Sequence, residues 1–408
     1  MTSSTLGDER PVRSAIGRGA WGVLAFAVVA QIGISIVEQG LPALTGFIKG
    51  DLHISAARAG LLVSSFSLGR ILGSYTAGRA ADRFGERTVL AIGGIGGGLL
   101  AVLASLSPLW LLITLLCVTG MFCSSATPAG GRIVLLAFPR DRHGLALGLR
   151  QTGIPLGGLL AAATLPSIAH VLSWRWSLAV GGLVMMALTA PIAFLRGREG
   201  RPAHTSEHHH GPNPLRNRSV LLLSAWGALL VSGNFALLSF LALDLHQRAG
   251  LTLATGSLLL AVAQVGGFAG RVGWGALSDR LLAHGRKPLM FVVTGVGLLS
   301  SLLLLAVPGS AGIGVFVVLA GVAGLAVIGF QGLLVTMVAE AAGPVRVGAA
   351  TGIMATAAQI SIFASPPLYG LVADLTGSYR SVWAALAIVI GVSVVPALMI
   401  HEHEQSPR

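Results

Sequence analysis

The apolar residues of this chain come in long blocks, each closed by charge, proline or glycine. Segmenting on those breaks predicts twelve helical spans. In the first half they cover roughly 20–46, 57–78, 88–106, 109–137, 144–168 and 174–195. In the second half they cover roughly 219–245, 253–277, 288–307, 312–342, 347–373 and 379–400. Each is near or above the ~20 residues that a helix needs to cross the hydrocarbon core, and the longest must tilt or project. The turns at Ser107-Pro108 and Val307-Pro308-Gly309 are short enough to make their flanking helices antiparallel neighbours.

The polar gaps organise the blocks. Gly78 to Arg87 is a tight charged hairpin between the second and third spans, and a related copy, Gly275 to Arg280, recurs half a chain later. Between spans six and seven lies the one long polar segment, Arg196 to Arg218, with Pro202, Pro212 and Pro214. It reads as a linker. The organisation is therefore a tail (1–19), a six-helix bundle (20–195), the linker (196–218), a second six-helix bundle (219–400) and a short tail (401–408). The run His208, His209 and His210, near His204, reads as solvated rather than metal-binding, because nothing fixes a coordination geometry.

Composition sharpens this. Of 408 residues 54% are hydrophobic and only 10% charged, where a soluble domain carries about a quarter. That is too little polar surface for a water-soluble globule. The 56 glycines suit membrane helices, which use small residues to pack backbones closely. The net charge of +12 does not point to nucleic acid, because the charges fall mainly in short loops. Cys117 and Cys123 share one span without sharing a face, so no disulfide or metal framework follows. The apolar run after Arg10, Arg13 and Arg18 is too long for a cleaved signal peptide and reads as the first span. Gly17 to Gly22 fits a G-x-G-x-x-G string, but no strand precedes it and a membrane helix follows.

Charge also orients the chain. Of 27 Lys and Arg residues, 18 fall on the side shared by both termini and the linker, five on the other side, and four inside spans. Basic loops stay cytoplasmic. The expectation is a multi-pass plasma-membrane protein with both termini in the cytoplasm, its lipid bilayer being its first partner and a functional monomer its working form.

The halves repeat. At one fixed offset Gly69, Gly73, Gly78, Asp82 and Arg83 map onto Gly266, Gly270, Gly275, Asp279 and Arg280. After a short insertion Gly85 and Arg87 map onto Gly285 and Lys287. Arg142, Gly144 and Gly148 match Arg346, Gly348 and Gly352, and Trp174-Arg175 matches Tyr379-Arg380. Parallel repeats of this kind place a solute path between two bundles.

These motifs resemble the major facilitator superfamily of secondary transporters over essentially the whole chain. Its signature between spans two and three, G-x-x-x-D-R-x-G-R-R, is met by Gly78, Asp82, Arg83, Gly85 and Arg87 and departs at Glu86. Gly153-Ile154-Pro155-Leu156-Gly157-Gly158 resembles the glycine/proline motif of span five found in antiporters. The arginine usual early in span four is replaced by Leu116, which weakens a drug-export reading. The resemblance implies an all-α fold of two pseudo-symmetric six-helix bundles. It also implies conformational gating by Gly78, Asp82, Arg83, Gly85, Arg87, Gly275, Asp279 and Arg280, with Gly153, Pro155 and Gly157 beside them. Asp82 is expected to face the N-terminal dipole of span eleven near Gly348 when the cytoplasmic side closes. The competing reading is that Asp82 and Arg83 only cap and orient their helices.

Charges inside the spans carry the chemistry. Arg70, Arg132, Arg150 and Arg271 each cost roughly 2.5–3.5 kcal/mol at a bilayer centre and need a partner, a cavity or a route to the interface. Arg132 and Arg150 lie near cytoplasmic ends, where snorkelling or helix-end pairing suits them, although Gln151 and Thr152 beside Arg150 suit a cavity wall. Arg271 is deep enough to hold a carboxylate, resembling the arginine that monocarboxylate and oxalate transporters of this superfamily use. Arg70 is a candidate second cation. Glu38 is the acid well inside the first bundle, suited either to carry a proton or to pair with an arginine. Asn234, Gln264, Gln331 and Gln359 are candidate solute donors or helix–helix links.

Together these predict a transporter of a small solute, an organic anion coupled to protons, working by alternating access. The alternative is a proton-coupled multidrug efflux antiporter for hydrophobic compounds. No P-loop, catalytic constellation, cofactor motif or soluble domain supports an enzyme or an ATP-driven pump.

Overall fold

The computed structural model describes residues 18–126, 128–138, 146, 149–194, 217–280, 286–343 and 347–400. Residues 1–17, 195–216 with the histidine run, and 401–408 lie outside the described residues, as do Arg142, Gly144, Gly148, Gly285 and Arg346 and the side chains of Asp82, Arg132, Asp279 and Arg280.

Every predicted apolar block is helical over most of its described residues. The first six spans are Arg18–Leu52, Ala56–Phe84, Glu86–Ser105, Leu109–Cys123 continued by Pro128–Ala137, Gly153–Val171, and Trp174–Thr189. The second six are Arg218–Ala249, Leu253–Arg280, Lys287–Ala306, Ile313–Val327 continued by Gln331–Ala342, Val347–Thr376, and Arg380–Val392 continued by Val394–Met399. Among the described residues, ten helices are long and apolar enough to cross a membrane by length and composition. Spans two and eleven fall short, the first through Arg58, Arg70, Arg79 and Arg83, the second through its Ser, Thr, Gly and Pro content. These two pack against each other across the boundary between the halves.

Three features depart from the predicted spans. Span two stays helical to Phe84 rather than 78, so the expected hairpin from Gly78 to Arg87 is mostly helix and the turn is Gly85 alone. Span one reaches Leu52 rather than 46, because Phe47 and Ile48 prolong the apolar block and Asp51 is held at its end by the Trp174 indole at 2.8 Å. Spans four and ten are each interrupted, at Ser124–Ala126 and at Ile328–Phe330, near the middle of what the hydropathy presents as one block.

The repeat read from the glycines is physical. A Cβ on Gly69 would stand 1.8 Å from the Cys117 carbonyl oxygen, and one on Gly266 would stand 2.1 Å from that of Gly321. One turn on, Gly73 faces the Met121 oxygen at 2.6 Å and Gly270 that of Leu325 at 2.4 Å. Glycine alone lets spans two and four, and spans eight and ten, cross with backbones touching. The other matched pair also does the same job twice. Arg175 donates to the Ser105 carbonyl at 2.9 Å and Arg380 to that of Leu305 at 2.5 Å, each satisfying open carbonyls at the end of the neighbouring helix.

The end of the molecule at Arg18, Phe84 and Arg286 is here the basic end, and the end at Leu52, Ala249 and Thr376 the far end. At the basic end spans two and three turn on one residue, Gly85, whose φ of 85° suits glycine.

Candidate functional site

The two halves touch along their far portions. The Thr45 hydroxyl donates to the Ser239 carbonyl at 3.1 Å, Ser64 to that of Phe363 at 2.5 Å, and Ser67 to the Gln359 side-chain oxygen at 2.8 Å. The backbone N–H groups of Ala56 and Ala57 donate to Asp374. Among the described residues, every hydrogen bond that joins the halves lies on this side. Apolar packing supplements them. A Cβ on Gly60 would stand 2.6 Å from the Pro366 carbonyl, and the Gln264 amide of span eight fills the notch left at Gly158 of span five. Toward the basic end the same helices stand apart: Tyr75 is 70% exposed and Val272 58%. The result is a cleft between the halves, sealed at the far end and open at the basic end.

At the inner edge of the seal lies a void of about 10 Å³, lined by Glu38, Leu41, Val63, Phe66 and Ser67 of the first half and by Phe235, Gln359 and Ile362 of the second. That is room for about one water molecule and far too little for an organic solute. Below Ser67 and Gln359, toward the basic end, the cleft is open.

Two of the predicted arginines stand there. Arg70 follows Ser67 by less than a helical turn, and its guanidinium pairs with Glu38 of span one. Both side chains are nearly buried, at 13% and 10% exposure, so their contact is shielded from water. Arg271, one turn further toward the basic end in the repeat, is met by an amide: it donates to the Gln331 side-chain oxygen at 2.5 Å. Gln331 begins the second piece of span ten, so the helix break is what aims it at span eight. Among the described residues no carboxylate pairs with Arg271.

The remaining predicted residues are distributed differently. Arg150 is 5% exposed and turned into the first half, donating to Gln31 at 2.8 Å and to the Ala126 carbonyl at the break in span four. Gln151 beside it is exposed, and Asn234 is buried in span seven. Gln264 and Gln359 belong to the seal, at Gly158 and Ser67. Gly153 and Gly157 pack on span one, where Cβ atoms would meet Val28 and Ile32 carbonyls at 3.0 Å and 2.7 Å, and Pro155 is buried beside them. Gly78 and Gly275 have open space around them. Arg83 lies over the Phe84 ring at 5.2 Å, and Arg87 has a partner of its own. Asp82, Asp279 and Arg280 have side chains outside the described residues.

Sequence reasoning passed over Thr45, Ser64, Ser67 and Asp374, which hold the seal. The hydroxyls carry no signal that separates them from ordinary small helix-packing residues. Asp374 does carry one, as an acid close to a span end.

Comparison with known proteins agrees with this architecture. The family model described as Major Facilitator Superfamily matches residues 23–327 and 274–408. The chain is 27% identical over 394 residues to an uncharacterised MFS-type transporter of Mycobacterium tuberculosis, covering 95% of this chain and 87% of that protein. It is 25% identical over 406 residues to the hexuronate transporter of Bacillus subtilis, covering 93% of each. Among solved structures it is similar in fold to a bacterial homologue of the human lysosomal transporter Spinster, in an inward-facing and unoccupied conformation. The TM-score there is 0.79 at 14% identity, over 94% of this chain and 97% of that one. With its paired six-helix halves, cleft between them and matching family model, the chain belongs to the major facilitator superfamily of membrane transporters.

Proposed function

We propose that this transporter moves a small organic anion across the plasma membrane by alternating access, coupled to protons. The observation that carries the reading is the division of charge in the cleft. Among the described residues Arg271 is answered by a neutral amide alone, so its positive charge is left for a solute carboxylate, which a guanidinium grips in bidentate fashion. Arg70 is held by Glu38. A proton on Glu38 would remove that ion pair and free Arg70 as a second cation, so proton uptake and anion binding favour one another. The likeness to a hexuronate transporter supports a sugar acid or similar carboxylate as cargo. The basic loops orient the open end toward the cytoplasm, which makes this the inward-open form.

The test is a thermal-shift screen of the purified protein against carboxylates, sugars and lipophilic cations, repeated with Arg271→Ala. A carboxylate should raise the Tm of the native protein and not that of the variant. Stabilisation by carboxylate that survives the substitution would overturn the anion site. Stabilisation by lipophilic cations alone would favour the multidrug antiporter.

A further inference from the structure

Spans two and eleven come from different halves and run antiparallel, and their contacts keep a regular register. Down span two, Ala56 meets Asp374, Gly60 meets Pro366, Ser64 meets Phe363 and Ser67 meets Gln359. Past Ser67 the helices part. Tyr75 is exposed, and no neighbouring atom lies within 4 Å of a Cβ position at Gly78 or Gly352.

The far end of this pair carries a cap that spans the two halves. A helix leaves its first N–H groups without partners inside the helix. At span two, Ser55 of the same chain segment accepts from the Arg58 N–H at 3.2 Å. The other two are satisfied from across the cleft: Ala56 donates to one Asp374 oxygen at 2.9 Å and Ala57 to the other at 2.8 Å. A carboxylate at the positive end of a helix is favourable both as an acceptor and as a charge. The approach is close because Gly370, one turn before Asp374, has no Cβ to strike the Ala56 carbonyl, which would lie 2.5 Å away.

We infer that Asp374 is the far-end latch of the transport cycle. The inference rests on the alternating-access reading. Asp374 stands two residues before the end of span eleven at Thr376, where span two begins at Ala56. In the present form this cap is made across the two halves. A tilt that opens the far ends of spans two and eleven lifts Ala56 and Ala57 away from Asp374 and breaks the cap.

The experiment measures the far end directly, without solute. Spin labels on cysteines introduced at Leu106 and Ile313, which are 75% and 51% exposed, report the separation of the halves at the far end. Cys117 and Cys123 are replaced by alanine in that background. The native sequence should give one short distance in a pulsed dipolar measurement. Asp374→Ala should add a longer distance and raise its population several-fold, and Asp374→Asn, which keeps one acceptor oxygen, should fall between. Distances in both variants that superimpose on the native ones would overturn the latch, including when the Tm falls, since that would be a purely structural cap. If Asp374→Ala does not fold, the native-like or shifted distance of Asp374→Asn decides. Loss of the anion site in the thermal-shift screen leaves these distances untouched, so the two ideas fail separately.

Discussion

The two halves share a frame and differ in what they do with their cleft arginine. The glycine crossings are matched almost atom for atom, with Gly69 on Cys117 repeated as Gly266 on Gly321. The Arg175 and Arg380 caps are matched too. Within that frame, the first half pairs Arg70 with an acid and the second gives Arg271 an amide. The paired arginine faces a carboxylate, and the other faces an amide that carries no charge. Duplication therefore preserves the helix packing, and the copies disagree in how their cleft arginine is partnered.

Four substitutions test this contrast. The largest effect is expected from Gln331→Glu, which gives Arg271 an internal carboxylate like that of Arg70. Anion affinity should fall by about 10- to 100-fold, the worth of one or two charge-assisted hydrogen bonds, in a binding titration at neutral pH. Unchanged affinity would mean that Arg271 does not hold the solute. Next, Glu38→Gln should abolish the pH dependence of anion binding. In the native protein binding should tighten as pH falls, because protonation releases Arg70, by at most about tenfold per pH unit for one linked proton. A variant that still responds to pH would place the coupling group elsewhere. The smallest effect should come from Gly69→Ala and Gly266→Ala. Each forces two backbones apart at a cost of about 1–3 kcal/mol, and the two drops in Tm should be alike. Unequal drops would show that the shared frame is less symmetric energetically than geometrically.

How much of this was legible in the sequence follows from where each signal resides. Lipid leaves the backbone few choices, so apolar blocks alone marked out the spans. Glycine pairs betrayed the repeat, since close crossings tolerate little else. The interruptions of spans four and ten were not legible, because Ser124–Ala126 and Ile328–Phe330 introduce no charge into an apolar block. Nor could spacing say that Glu38 meets Arg70, that Arg150 folds back onto the Ala126 carbonyl, or that Asp374 reaches Ala56. Those contacts depend on which helices the tertiary fold places side by side.

The void beside Glu38 has an electrical consequence. Water filling the open half of the cleft would conduct, so the membrane voltage would fall mainly across the sealed half between Glu38 and the far surface. Moving one elementary charge through 100 mV changes its energy by roughly 2.3 kcal/mol. A proton arriving at Glu38 from the far side would cross nearly the whole of that field, and one leaving through the open side almost none. The seal would act as the capacitor of the molecule, and Glu38 sits on its inner plate.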